Sequence, residues 1–235
     1  MVDLGGLASY NSHMLKYIPV PISAHDAILG ADFNKNFANI MQGFYKPFLT
    51  LGWEVDLSKT TWERVVAACV DNAVWVGAGK NVVDVKTPLA DIDVKSQSVD
   101  TLGSITTEAS FLQNNKRKND HFMKLFESND FQALKEMFVD LWLDKVTGTS
   151  NLHLLAIIRE KKHKTVSYCL LKLEDDGLTE ADFISKMQIA GERSVDVPMI
   201  DSVYGKTYIY ISKRRLEIRL NTQGLKDYIV YSHTV

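Results

Sequence analysis

The sequence predicts an α/β fold of the α+β kind, with a central mixed β-sheet flanked by helices, and three observations carry that prediction. Apolar residues recur at helical spacing over 32–51, 61–71 and 130–145. Short β-rich runs fill 73–96, 151–173 and 207–231. The two kinds of segment come in blocks (helices, meander, helices, strands), which excludes a clean βαβ alternation.

Bulk properties narrow the class. The 235 residues are 46% apolar and 24% charged, and a chain of this length buries about 70–75% of its unfolded surface without a disulfide or metal staple. One domain over 1–235 is expected. Its two cysteines, Cys69 and Cys169, sit in apolar runs and form no zinc-ligand spacing, which suits a reducing cytoplasm. No run of eighteen apolar residues occurs, and M-V-D-L-G-G-L-A at the start lacks the basic and apolar regions of a secretory signal, so no membrane partner is expected. A net charge of −2 argues against a histone-like coat held on DNA by bulk charge. It still permits one local basic face.

In chain order, the first thirty residues are mixed and turn-rich, with Pro19 and Pro21 breaking any long element. From Asp32, an N-cap residue type, the stripe Phe33, Phe37, Ile40, Met41, Phe44 and Phe48 predicts a helix that Pro47 should end or kink. Trp62, Val65, Val66, Cys69 and Val70 predict a second helix over 61–71, with caps offered by Ser58–Thr61. The runs 73–78, 81–87 and 90–96, parted by Gly79-Lys80 and Pro88-Leu89, read as a three-strand meander. A polar, helical stretch is expected over 107–126, then an amphipathic helix 130–145 carrying Leu134, Met137, Phe138, Leu141 and Trp142. Strands 151–159 and 165–173 follow, joined by E-K-K-H-K. The acidic run 174–182 reads as a solvated loop leading into a short helix 179–188, and strands 207–212, 215–220 and 227–231 close the chain.

The informative segment is N-V-V-D-V-K-T-P-L-A-D-I-D-V-K-S, residues 81–96. Side chains alternate along a strand, so Asp93 and Lys95 point one way while Ile92 and Val94 point into the core. A hairpin turning through Pro88 brings Asp84 close to Asp93. Two carboxylates a few ångström apart repel unless a cation sits between them. Hard oxygen ligands of this kind select Mg²⁺, with Mn²⁺ able to substitute, and a neighbouring lysine can orient water or stabilise a phosphate under attack. The chemistry implied is metal-assisted phosphodiester hydrolysis. A second register exists, with Asp71 as first aspartate and Asp84-Val85-Lys86 as the D-x-K. It would need Asp71 on a strand, where the apolar spacing says helix, and Asp84/Asp93/Lys95 is the preferred set. Asp91 shares that face and is a subsidiary metal or water contact.

An aspartate on one strand and D-x-K on the next resembles the PD-(D/E)xK nuclease superfamily, whose fold is restriction-endonuclease-like. Asp84 matches the first aspartate, Asp93 the second acidic position and Lys95 the lysine; Val83 stands where the name-giving motif has proline. The family often adds a glutamate from a helix before the meander, and Glu63 in T-W-E-R-V-V matches it. The resemblance covers about residues 60–160 as a catalytic core. It implies metal ligation by Asp84, Asp93 and Glu63, and an endonuclease acting on double-stranded DNA. A lone core without helicase or methyltransferase motifs looks most like a type II restriction endonuclease, which usually works as a homodimer. A structure-specific repair or junction-resolving nuclease is the alternative, and a DNA-binding or interaction module with structural carboxylates is the non-enzymatic rival.

Three basic clusters stand out, over 114–119, 159–164 and 213–219. Lysine and arginine neutralise phosphates, while asparagine and arginine read base edges. Asn114, Asn115, Lys116, Arg117 and Lys118 are the first DNA-binding candidates, and Lys213, Arg214 and Arg215 the second. The β-rich part 190–235 is a candidate for recognition or dimerisation, as is the apolar helix 130–145 for the dimer. The six histidines show no H-x-H or H-E-x-x-H spacing, and no G-x-S-x-G, Walker A or G-x-G-x-x-G occurs, so zinc hydrolase, serine hydrolase and nucleotide-binding readings lack support.

Overall fold

The computed structural model describes residues 13–50, 57–77, 82–99, 104–109, 116–146, 148–160, 165–190, 194–210 and 215–234. The chain opens with strand β1 (His13–Pro19), the single-turn helix α1 (Asp26–Leu29) and helix α2 (Phe33–Ile40). A π-turn, Met41–Tyr45, leads into α3 (Lys46–Thr50), and α4 spans Lys59–Cys69. The meander is β2 (Val74–Trp75), β3 (Val85–Lys86) and β4 (Asp91–Val99). Strand β5 (Ser104–Ala109) precedes α5 (Lys116–Glu127) and α6 (Phe131–Val146). Then come β6 (Leu152–Glu160), β7 (Thr165–Thr179), α7 (Glu180–Lys186), β8 (Gln188–Ile189) and β9 (Ser194–Val197). Strands β10 (Gly205–Tyr210), β11 (Arg215–Asn221) and β12 (Ile229–Thr234) complete it.

The strands form two sheets. One is seven-stranded, in order β1-β7-β6-β4-β3-β2 with β12 also on β7, and mixed, because β4 and β6 run parallel while every other pair is antiparallel. A parallel pair needs a crossover, and the segment carrying α5 and α6 supplies it. The other sheet is five-stranded and antiparallel, in order β5-β11-β10-β9-β8. All nine residues of β6 are buried, the apolar stretch 154–158 among them, because both faces of the central strand are covered. On one side Leu155 and Ile157 pack with Phe33, Phe37, Trp62 and Val66 of α2 and α4. On the other, Leu154, Ala156 and Ile158 pack with Phe138 and Trp142 of α6 and with Val195, Ile209 and Ile218 of the second sheet. The predicted mixed sheet flanked by helices is therefore present.

Several local expectations are corrected. The first thirty residues contain β1, which pairs with β7 from Pro19↔Leu171 out to His13↔Thr179. The same pairing extends β7 through the acidic run expected to be loop, with Lys16 opposite Glu174. Pro47 does not end its helix: the wider hydrogen-bond step of the π-turn lies just before it, and the chain continues into α3. Asp32 stands at the start of α2, yet its side chain makes no capping bond. Residues 104–109, in part expected to be helical, are a strand because β11 supplies a full antiparallel partner, Ile105↔Leu220 to Ala109↔Leu216. The apolar stripe of α6 (Leu134, Phe138, Val139, Trp142) is spent in the protein's own core, which removes it as a dimer surface. The segment 190–235 does not form one unit, because β12 leaves for the seven-stranded sheet.

Candidate active site

Helix α4 and the meander meet where the sequence placed its chemistry. Ser58 caps α4 by accepting from Thr61 N at 3.2 Å, and Trp62, Val65, Val66 and Cys69 turn into the core. Lys59 and Glu63, one turn apart, then share the face that looks onto the meander. In the meander, Thr87 pins the turn around Pro88: its hydroxyl accepts from Leu89 N (3.1 Å) and Ala90 N (2.8 Å) and donates to Ala90 O (3.0 Å). That fixes the register Val85↔Ile92, which carries Asp84 towards Asp93. At Asp84 the regular ladder ends. Its backbone N still donates to Ile92 O at 2.9 Å, but its own carboxylate oxygen Oδ2 accepts Val94 N at 2.9 Å in place of a backbone carbonyl.

Asp84, Asp93 and Lys95 lie together, and Glu63 is linked to them through Lys59. Ile92 and Val94 lie in the core, while Lys95 Nζ hydrogen-bonds Asp93 Oδ1 and lies 3.8 Å from Asp84 Oδ2. Glu63, 1% exposed, accepts Trp75 Nε1 on Oε2 at 3.0 Å, and the Arg64 guanidinium lies 4.3 Å over the Trp75 ring. One residue that motif reasoning missed completes the group. Lys59 Nζ lies 3.3 Å from Glu63 Oε1 and 3.4 Å from Asp84 Oδ1. Read as one of the cap residues before a helix at 61, Lys59 stands four residues before Glu63, and that spacing is the signal that could have found it.

Electrostatics follow from crowding. Burial first, then the charge and hydrogen bond of Asp93, push the Asp84 carboxyl up to about 7, against the pull of Lys95 and Lys59. Burial would lower the Lys59 ammonium, but Asp84, Asp93 and Glu63 together hold it above its usual range. Burial, with the Asp93 charge behind it, likewise keeps the Tyr17 phenol protonated.

The other predicted residues fall elsewhere. Asp91 is buried and its Oδ2 accepts Ser150 N at 2.8 Å, tying the start of β4 to the loop before β6. Asp71 is exposed in the turn after α4 and Lys86 is exposed on β3, so the second register assembles no site. Asn114, Asn115, Lys213 and Arg214 lie outside the described residues, as does the Gly79-Lys80 turn. Lys116, Arg117 and Lys118 begin α5, and Arg215 begins β11.

Comparison with protein-family models, with curated proteins and with solved structures finds no match to this chain. Among the described residues, no three histidine, cysteine, aspartate or glutamate side chains close round one point as a ready-made metal cage. None of the described helices is long and apolar enough to cross a membrane.

Proposed function

We propose that the protein is a Mg²⁺-dependent endonuclease of the PD-(D/E)xK type, hydrolysing phosphodiester bonds of double-stranded DNA, most like a type II restriction endonuclease. One observation carries the reading: three buried carboxylates belong to one linked group, Asp84 and Asp93 beside Lys95, and Glu63 joined to Asp84 through Lys59. Burying like charges together is costly, and a structural role would be met more cheaply by one-to-one pairs. The donor set suits a hard divalent cation. Mg²⁺ keeps several waters and takes one or two carboxylates, so a closed three-carboxylate cage is not required. Lys59 already stands as a cation between Glu63 and Asp84.

Asp84, Asp93 and Glu63 would hold the metal, which when bound supplies charge neutralisation at the phosphate and a more acidic water. Trp75 keeps Glu63 turned to the site through its indole N–H. Lys95, 12% exposed on its side chain and fastened to Asp93, is placed to donate from Nζ to a phosphate oxygen and to position the attacking water. Water adds its oxygen to phosphorus, the bond from phosphorus to the leaving sugar oxygen breaks, and the water's proton passes to base while the leaving oxygen takes one up. A twofold-symmetric pair of chains places one such site on each strand of a palindromic sequence, which is the reason a homodimer belongs to the proposal. The buried free thiols Cys69 and Cys169 suit a cytoplasmic setting. Incubating plasmid DNA with the protein and Mg²⁺, Mn²⁺ or EDTA tests the reading. Discrete fragments with either metal and none in EDTA are expected; intact plasmid in all three overturns it.

A further inference from the structure

We propose that Lys59 occupies the cation position of the metal-free protein and must leave it for a divalent cation to bind, so that its ammonium gates metal loading. This rests on the nuclease reading of the site. Glu63 Oε2 is taken by Trp75 Nε1, and Asp84 Oδ2 by Val94 N. The oxygens of these two carboxylates that accept neither of those bonds are Glu63 Oε1 and Asp84 Oδ1, and both face Lys59 Nζ, at 3.3 and 3.4 Å. A divalent cation that bridges Glu63 and Asp84 through this pair stands where the ammonium does. It cannot share them with an ammonium, because both carry positive charge at contact distance.

The two lysines of the site are unequal in a way that assigns the gate to one of them. Lys95 is 12% exposed and fastened to Asp93, whereas the Lys59 side chain is 58% exposed. Lys59 sits on the first residue of α4, so its side chain can turn to solvent without unpacking anything. While seated, it relieves repulsion between Glu63 and Asp84 and lets the site fold without metal. Once displaced, it stays tethered at the rim, a mobile positive charge beside the position proposed for the substrate phosphate.

Two readouts on the full-length protein test this without relying on cleavage. In the wild type, the acetylation rate of Lys59 by an amine-reactive ester, followed by mass spectrometry, should rise several-fold on saturation with Mg²⁺, while that of Lys95 should not rise. By calorimetry, Lys59→Ala should bind Mg²⁺ about two- to fivefold more tightly, as loss of a competing ion pair of ordinary strength implies. Lys59 reactivity that is unchanged or reduced by Mg²⁺, or a variant that binds Mg²⁺ no better than wild type, overturns the gate. If Lys59→Ala fails to fold by circular dichroism, the wild-type acetylation measurement decides alone. Wild-type protein that binds no Mg²⁺ overturns the nuclease reading and the gate together; Mg²⁺ binding with an indifferent Lys59 overturns the gate and leaves the nuclease reading standing.

Discussion

On the five-stranded sheet the buried carboxylate of Glu217 meets Arg219 Nε at 2.7 Å, and the same guanidinium donates to Tyr210 OH at 3.0 Å and lies 5.1 Å from the Tyr208 ring centre. On the seven-stranded sheet, Asp84, Asp93 and Glu63 are as deeply buried but outnumber their two ammoniums, and Asp84 is driven up to about 7. Both clusters pair carboxylates with cations at the surface of a sheet. One balances its charges within itself. The other has an excess of oxygen ligands and negative charge that a bound cation would neutralise. The contrast teaches that burial of an acidic group is not by itself a sign of chemistry; convergence of several acidic groups on one place is the informative feature.

The largest expected effect breaks the contrast from the site's side. Asp93→Ala and Lys95→Ala should each lower the cleavage rate about 10²–10⁴-fold, on the order of 3–5 kcal/mol of barrier, while Ca²⁺-supported DNA binding in a gel shift persists. Near-wild-type cleavage by either variant removes the assignment.

Metal and pH sharpen it next. In the folded protein Asp84 titrates near 7, above its ordinary 3.8, so the folded state holds a proton that the unfolded chain has shed. This stabilisation is complete below 3.8 and is lost as pH rises through 7. Burial lowers His25 and His153 from 6.5, with the opposite sign: below 6.5 the unfolded chain takes up protons that the folded imidazoles refuse, and stability falls. Melting curves of the metal-free protein should therefore decline on both sides of a mildly acidic optimum. Mg²⁺ at a hundredfold excess over its Kd should add about 2.7 kcal/mol, raising the melting temperature by roughly 5–10 °C at pH 8 and by less at pH 5. Cleavage should rise with pH through about 7 as Asp84 ionises. A Mg²⁺ shift equal at both pH values contradicts the role given to Asp84.

Arg219→Ala tests the balanced cluster. It strands the Glu217 carboxylate and should cost about 1–2 kcal/mol in urea denaturation, with no change in the Mg²⁺-dependent melting shift. A lost Mg²⁺ shift would show that the two clusters are linked. The smallest effect is expected at the basic start of α5: if Arg117 meets phosphate, Arg117→Ala flattens the salt dependence of DNA binding by about one unit, alike on all sequences. An unchanged slope makes that helix end a solvated face.

The sequence by itself determined the elements whose burial pattern is local. Trp62, Val65, Val66 and Cys69 at helical spacing were sufficient to define α4, and Leu134, Phe138 and Trp142 to define α6. The β-rich run 151–159 announced the strand β6, and its burial on both faces is what the structure adds. Strand alternation placed Asp93 with Lys95, and the turn at Pro88 returned Asp84 to them. Tertiary structure decided whatever depends on a distant partner. β1 and the acidic end of β7 are strands because they pair with each other, and β5 is one because β11 pairs with it; Ile105, Thr106 and Thr107 favour a strand locally, but nothing in 104–109 names that partner. Lys59 was legible only as a cap residue before the helix that bears Glu63. Their convergence on Asp84 came only from the packing of α4 against the meander, since periodicity specifies which face of an element is buried but not what it is buried against.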